Sequence, residues 1–198
     1  MSYEKGITPS LPKMSIKDGE LEVNGAVLLD QNFHVKQTLN FQETQFFQLL
    51  QGKLKGQLGL LSPIKDKHNR NQLFNIQTAS YTVRKIKRKV DCKFHHNRFN
   101  FKVSLKIPVM ISQSPIKLDN NTVDRLSKEI ETSLENQLND LVHTLQTNEV
   151  DPLGLGILAS SYQHDQWKKV KSSWPKDFKN SKIHVKAKII IVDKGLAM

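Results

Sequence analysis

Cys92-Lys93-Phe94-His95, with His96 next to it, is a C-x-x-H spacing of the kind that could begin a metal site. Zinc needs three or four convergent ligands, usually paired on both sides. His68, His143, His164 and His184 are scattered and supply no matching half. Cys92 shares an alternation with Val90 and Phe94, so it reads as a small buried hydrophobe. As the one cysteine it forms neither an internal disulfide nor a CxxC pair. The acids Asp124, Glu129, Glu131, Glu135 and Asp140 interleave with Arg125, Lys128 and amides, as a solvated helix face does. Gly154-Leu155-Gly156 follows no strand and is not a dinucleotide loop. No nucleophile elbow, phosphate-binding glycine loop or HExxH occurs. The sequence offers no catalytic, cofactor or metal residues.

Charge offers more. Between Tyr81 and Lys106 lie Arg84, Lys85, Lys87, Arg88, Lys89, Lys93, Arg98, Lys102 and Lys106, against Asp91 alone. Such a cluster suits phosphates on lipid or nucleic acid. Lysines that keep a hairpin soluble and block edge-to-edge pairing would explain many of them as well, and that reading weighs slightly more. Arg98-Phe99-Asn100-Phe101-Lys102-Val103 loosely matches the aromatic strand of an RNA-recognition motif, whose aromatics must stand on the open face to stack bases. Here Phe99 and Phe101 share a phase with Val103, Leu105 and Ile107, which must be buried, and the motif's glycines are missing. A core strand outweighs an RNA platform.

Several elements must position these residues. In 198 residues, 37% are apolar and 25% charged, which suffices for one generous domain or two very small ones. The 30 basic and 19 acidic residues give a formal charge of +11, so an anionic partner is worth considering. No run of about 18 apolar residues spans a membrane.

Residues 1–20, with Gly6, Pro9, Pro12 and Gly19, read as a lead-in. Leu21, Val23, Val27 and Leu29 alternate, Asp30-Gln31-Asn32 is a turn, and Phe33, Val35 and Leu39 continue a second strand. Phe46, Phe47, Leu49 and Leu50 form a short helical cluster closed by Gly52, and residues 62–71 are a polar loop.

From Phe99 to Ile111 the odd positions are apolar and the even ones mostly polar, the pattern of a strand with one buried face. Leu73–Phe94 is also strand-like, with His95-His96-Asn97-Arg98 at the turn; Pro108 suggests an edge or bulge. Val123, Leu126, Ile130, Leu134, Leu138, Leu141, Val142 and Leu145 make one stripe on a long helix, capped by Asn120 or Asn121. Asp151 as N-cap and Pro152 at the first turn open a second helix, with Leu155, Leu158, Tyr162, Trp167 and Val170 inward, and Trp174-Pro175 ends it. A last strand carries Ile183, Val185, Ala187, Ile189 and Ile191 on one face and Lys182, His184, Lys186 and Lys188 on the other. This order predicts an α+β fold: a mixed or antiparallel sheet of about four to five strands, with one long and one shorter helix packed on one face.

The C-terminal part carries an ordered signature: Asp151-Pro152-Leu153-Gly154-Leu155-Gly156, Tyr162, Trp167-Lys168, Trp174-Pro175-Lys176-Asp177-Phe178, the strand Ile183–Ile189 and Gly195. It resembles the C subunits of spore nutrient-germinant receptors, the GerAC-like lipoproteins. Leu11-Pro12, Ile16, Val23-Asn24-Gly25-Ala26-Val27 and Glu43-Thr44 resemble that family's opening, so the likeness runs from Leu11 to Gly195. The resemblance implies a lead-in over 1–18 and a GerAC-like C-terminal domain over 19–198. It implies a larger three-domain lipoprotein, held by an N-terminal lipid anchor on the outer face of the inner spore membrane. It implies the integral-membrane A and B subunits of the receptor as partners, and carries over no catalytic residues. A full-length member begins with a signal peptide and a lipidated cysteine; with neither here, an excised soluble fragment is expected.

The expected function is therefore a non-enzymatic structural or interaction subunit of a germinant receptor, with a basic nucleic-acid-binding module as the rival. Asp151, Pro152, Gly154, Gly156, Trp167, Trp174 and Phe178 form the structural signature, the tryptophans acting as anchors. If the two strands share one helix layer, Lys102, Lys106, Lys182, Lys186 and Lys188 point the same way, toward an anionic lipid surface. No cofactor is expected.

Overall fold

The computed structural model of the protein describes residues 6–54, 56–65, 76–114 and 118–193. Strand β7 (Arg98–Gln113) organises it. One edge of β7 pairs in parallel with β8 (Lys182–Asp193). Along the other edge β6 (Lys87–His95) pairs antiparallel with its first half and β5 (Ile76–Val83) with its last residues. β4 (Leu58–Lys65) lies outside β5, which completes a mixed five-stranded sheet. Pro108 lies inside β7 and not at an edge, one residue before the register shift at Val109 and Met110 in the pairing with β8, where the alternative reading put a bulge. β6 pairing stops at Lys106 and β5 pairing begins at Val109, so the residue without an N–H falls in the gap between them. The β6–β7 hairpin turns at His96 and Asn97, with φ of 51° and 56°.

The odd positions of β7 from Phe99 to Ile111 are all buried, and α2 (Asn120–Thr147), packed against β8 and β4, adds Leu126, Ile130, Leu134, Leu138 and Leu145 to the same core, fully enclosed. The start of α2 is capped by Asp119 instead of Asn120 or Asn121: its Oδ1 accepts the Thr122 N–H at 2.8 Å, while Thr122 Oγ1 accepts the Asp119 N–H at 2.9 Å. α1 (Phe41–Gln51) is held by a capping box between Asn40 and Glu43 and ends at Gly52. It buries Phe46, Phe47, Leu49 and Leu50 between α2 and a second sheet.

That second sheet revises several expectations. The expected lead-in contains β1 (Ser10–Lys17), which pairs antiparallel with β2 (Glu20–Leu29), and β2 with β3 (Val35–Leu39). The register shifts between Lys13 and Met14, where Asn24 of β2 is left without a pairing residue; Ala26 and Leu28 are buried, while Leu21 and Val23, farther along the hairpin on the same face, stand in solvent. Residues 62–65 of the expected polar loop belong to β4: Ser62 is buried and its hydroxyl meets the Tyr81 hydroxyl at 2.9 Å. The remainder of that loop and positions 73–75 lie outside the described residues.

The single second helix is two short ones, α3 (Leu155–Tyr162) and α4 (His164–Val170), and an unexpected further helix follows, α5 (Trp174–Asn180). Gln163, at φ −137° and ψ 52°, breaks the first from the second. Trp174-Pro175 starts α5 instead of ending a helix, because proline fits the first turn, where its missing N–H is not needed. Tyr162, expected inside, is 62% exposed.

Candidate functional site

Helix α2 ends in a Schellman turn, with Val150 N–H on Leu145 O and Glu149 N–H on Gln146 O. The turn drives Val150 into the core and delivers Asp151 to the centre of the molecule. Asp151 is not a local N-cap. Gly154, in the left-handed region at φ 69°, stands at that position. The Asp151 carboxylate instead reaches past it, accepting the Leu155 N–H at 3.1 Å and the Gly156 N–H at 2.8 Å, so it still supplies partners to unpaired amides of α3. Its Oδ2 also accepts the Trp174 indole N–H at 3.0 Å. Burial pushes this carboxyl up to about 6, against the hydrogen bonds that favour its charged form. The half-buried Arg88 guanidinium from β6 donates to Leu153 O at 3.5 Å; burial lowers its pKa and the Asp151 charge opposes that.

Trp174 collects the ring cluster. Its ring stands edge-on to Phe99 at 5.6 Å, Phe101 at 6.4 Å and Trp167 at 5.0 Å, with Phe178 at 6.2 Å. Phe99 and Phe101 thus face inward, which removes the aromatic platform that the nucleic-acid reading needs. Gly156 has no room for a side chain: a Cβ there would sit 2.5 Å from Gly6 Cα and 2.6 Å from Trp174 Nε1. Through this contact the N-terminal segment is strapped onto α3, and the Thr8 N–H donates to Asp151 O at 3.0 Å. Gln146 fastens α5 from the other side, donating to Phe178 O at 2.9 Å and Ser181 O at 2.8 Å. Asp151, Gly156, Trp167, Trp174 and Phe178 therefore converge, with Pro152 and Gly154 buried in the connecting loop.

Sequence reasoning missed a second constellation. Along the outer edge of β8 the N–H groups of Val185, Ala187 and Ile189 point away from β7. Asn139 Oδ1, Glu135 Oε1 and Glu131 Oε1 accept them at 3.0, 2.9 and 2.9 Å. Four residues of helix rise about 6.0 Å and two of strand about 6.6 Å, so positions 131, 135 and 139 keep step with 189, 187 and 185. The same carboxylates hold Lys186 at 3.0 Å and Lys188 at 3.1 Å. The i, i+4 spacing of these acids was the available signal, but it looks identical on a solvated helix.

All five expected lysines lie on the open sheet face, because β7 and β8 pair Asn100 with Lys182, Lys102 with His184, Ser104 with Lys186 and Lys106 with Lys188. A surface depression of about 1000 Å³ beside β6 is lined by Cys92, Lys102, Leu158, Tyr162, Lys182 and His184 among others. Burial pushes the Cys92 thiol up to about 11, which leaves it a poor nucleophile. Among the described residues no group of three or more His, Cys, Asp and Glu is placed to hold a metal ion. Among them, too, no helix is long and apolar enough to cross a membrane.

The family model for spore germination B3/GerAC-like C-terminal domains matches residues 24–195. The chain belongs to this family. Its fold is that of the GerBC protein, whose crystal structure superimposes with a TM-score of 0.80 at 19% identity over 95% of this chain. The chain spans 57% of the GerBC structure's length. A comparison with curated proteins finds no match. In this GerAC-like domain the most distinctive residues meet in one buried knot, and none is arranged as an acid–base pair or activated nucleophile.

Proposed function

We propose that this GerAC-like domain is the interaction part of a nutrient-germinant receptor C subunit, without catalytic activity, acting in receptor assembly or signal coupling at the inner spore membrane. The observation that carries this reading is the combination of family match and site: the matched residues spend their chemistry on packing, in the Asp151–Gly156–Trp174 knot. The partners in this reading are the integral-membrane A and B subunits. The full-length protein is held on the outer face of that membrane by an N-terminal lipid anchor.

The β1–β2 hairpin supplies a surface suited to such contacts. Met14 is paired with Val23 and Ile16 with Leu21, so the four share one face, and each is more than half exposed. Large apolar side chains grouped in solvent mark protein contact sites. Spores in which Met14, Ile16, Leu21 and Val23 are replaced by serine in the full-length protein should lose nutrient-triggered germination at normal protein level. An unchanged nutrient response would remove the hairpin from the account.

A further inference from the structure

The open face of β6, β7 and β8 is a grid in which four rows cross three strands. The rows are Lys87–Lys106–Lys188, Lys89–Ser104–Lys186, Asp91–Lys102–His184 and Lys93–Asn100–Lys182. Eight of these twelve positions are lysine and one is acidic. Like charges directly opposite one another weaken strand pairing, and the first row sets three of them side by side. Lys186, Lys188 and Lys89 have carboxylate partners in Glu135, Glu131 and Asp91. Lys87, Lys93, Lys102, Lys106 and Lys182 have none within ion-pair distance among the described residues, and all are exposed.

We propose that this lysine grid docks on an anionic lipid surface. The proposal is independent of the receptor reading, since it needs only this face. Three strands and four rows cover a patch of about 10 by 20 Å. The grid holds lysine and no arginine, which suits a diffuse sheet of phosphates better than the bidentate recognition of individual ones. It holds no Phe, Tyr or Trp on which bases could stack, because Phe99 and Phe101 lie on the opposite face. Beyond the first row the same face turns apolar with Pro108 and Ile190, and Val192 stands 62% exposed at its end. Interfacial binding draws on this combination of cationic attraction and buried apolar area.

A basic residue close to an anionic leaflet is worth roughly five-fold in affinity. The test is sedimentation of the 198-residue chain with vesicles of equimolar phosphatidylcholine and phosphatidylglycerol, against vesicles of phosphatidylcholine alone. Binding should require phosphatidylglycerol and fall between low salt and about 0.15 M salt. The triple variant Lys102→Gln, Lys106→Gln, Lys182→Gln should lose on the order of 100-fold. A control with equal charge loss on α4 and its end, Lys168→Gln, Lys169→Gln, Lys171→Gln, should change little. Neither variant should melt below the parent by circular dichroism, since every substituted side chain is exposed and Lys106→Gln relieves a like-charge row. Binding indifferent to phosphatidylglycerol, absence of binding at low salt, or equal loss in the control would each overturn the proposal. So would a grid variant that keeps its vesicle binding while losing affinity for single-stranded RNA or an acidic peptide.

Discussion

The Trp174 indole N–H reaches Asp151 Oδ2 across 23 positions of sequence, at 3.0 Å, inside a fully buried site. One carboxylate thereby joins the end of α2, the start of α3 and the start of α5. Replacing Asp151 with asparagine keeps the shape but turns an amide N–H toward groups that are all donors. We expect a loss of about 2–3 kcal/mol in urea unfolding, the value of hydrogen bonds to a charged acceptor.

The same carboxyl sets a pH signature. Its folded value of about 6 lies above the ordinary aspartate value of 3.8, so the native state holds the proton more tightly. Its contribution is then largest below pH 4, declines as pH rises from about 4 to 6, and is level above that. The parent's stability relative to Asp151→Asn should fall across this window by something on the order of 3 kcal/mol. Denaturation series at pH 4, 5, 6 and 7 on both proteins isolate the effect; a relative stability that climbs with pH would contradict the burial argument.

Gly156→Ala presses a methyl group into Gly6 backbone and the Trp174 indole. Overpacking of this kind costs about 1–3 kcal/mol. Because Trp174 is held among four other rings, the strap is the side expected to yield, and hydrogen exchange at the Thr8 amide should accelerate more than at the α2 core. Uniform acceleration would mean that Gly6–Thr8 is not an independent strap.

Ile130 and Leu134 are fully buried against the sheet. Aspartate at either position removes about 1.5–3 kcal/mol of burial and adds an unpaired buried charge. Thermal melts should show an unfolded or sharply destabilised chain; an unchanged melting point would refute the packing of α2.

Removing the edge cover makes a different prediction. The variant Glu131→Ala, Glu135→Ala, Asn139→Ala frees three outward N–H groups of β8. An uncovered edge recruits another strand, so light scattering should report dimers or larger assemblies at concentrations where the parent is monodisperse. A variant with the parent's size distribution would show that the cover serves stability alone.

Both tryptophans are enclosed, with 6% exposure at Trp167 and 1% at Trp174. Iodide should quench the native emission far less than that of the urea-unfolded chain. Comparable quenching in both states would contradict the ring cluster.

Periodicity carried the strands and α2 because burial on one face leaves a pattern: Phe99 to Ile111 at period two, Val123 to Leu145 at three and four. What it missed depends on distant partners. Asp151 before Pro152 looks like an ordinary cap, and only the fold brings Trp174 to it. Glu131 and Glu135 look solvated until β8 arrives beside them. β1 hid because its apolar residues, Leu11, Met14 and Ile16, are mostly exposed and flanked by prolines and glycines. The break at Gln163 carries no glycine or proline, so two helices read as one.

The central claim is that this domain works by contact, within a membrane receptor. Affinity capture of a tagged full-length protein from dormant-spore membranes, followed by mass spectrometry, tests it most directly. Two integral-membrane polypeptides should co-elute at fixed ratio, and the hairpin serine variant should lose them while retaining its own abundance. Recovery of the protein alone, or of both membrane polypeptides unchanged with the hairpin variant, would contradict the account.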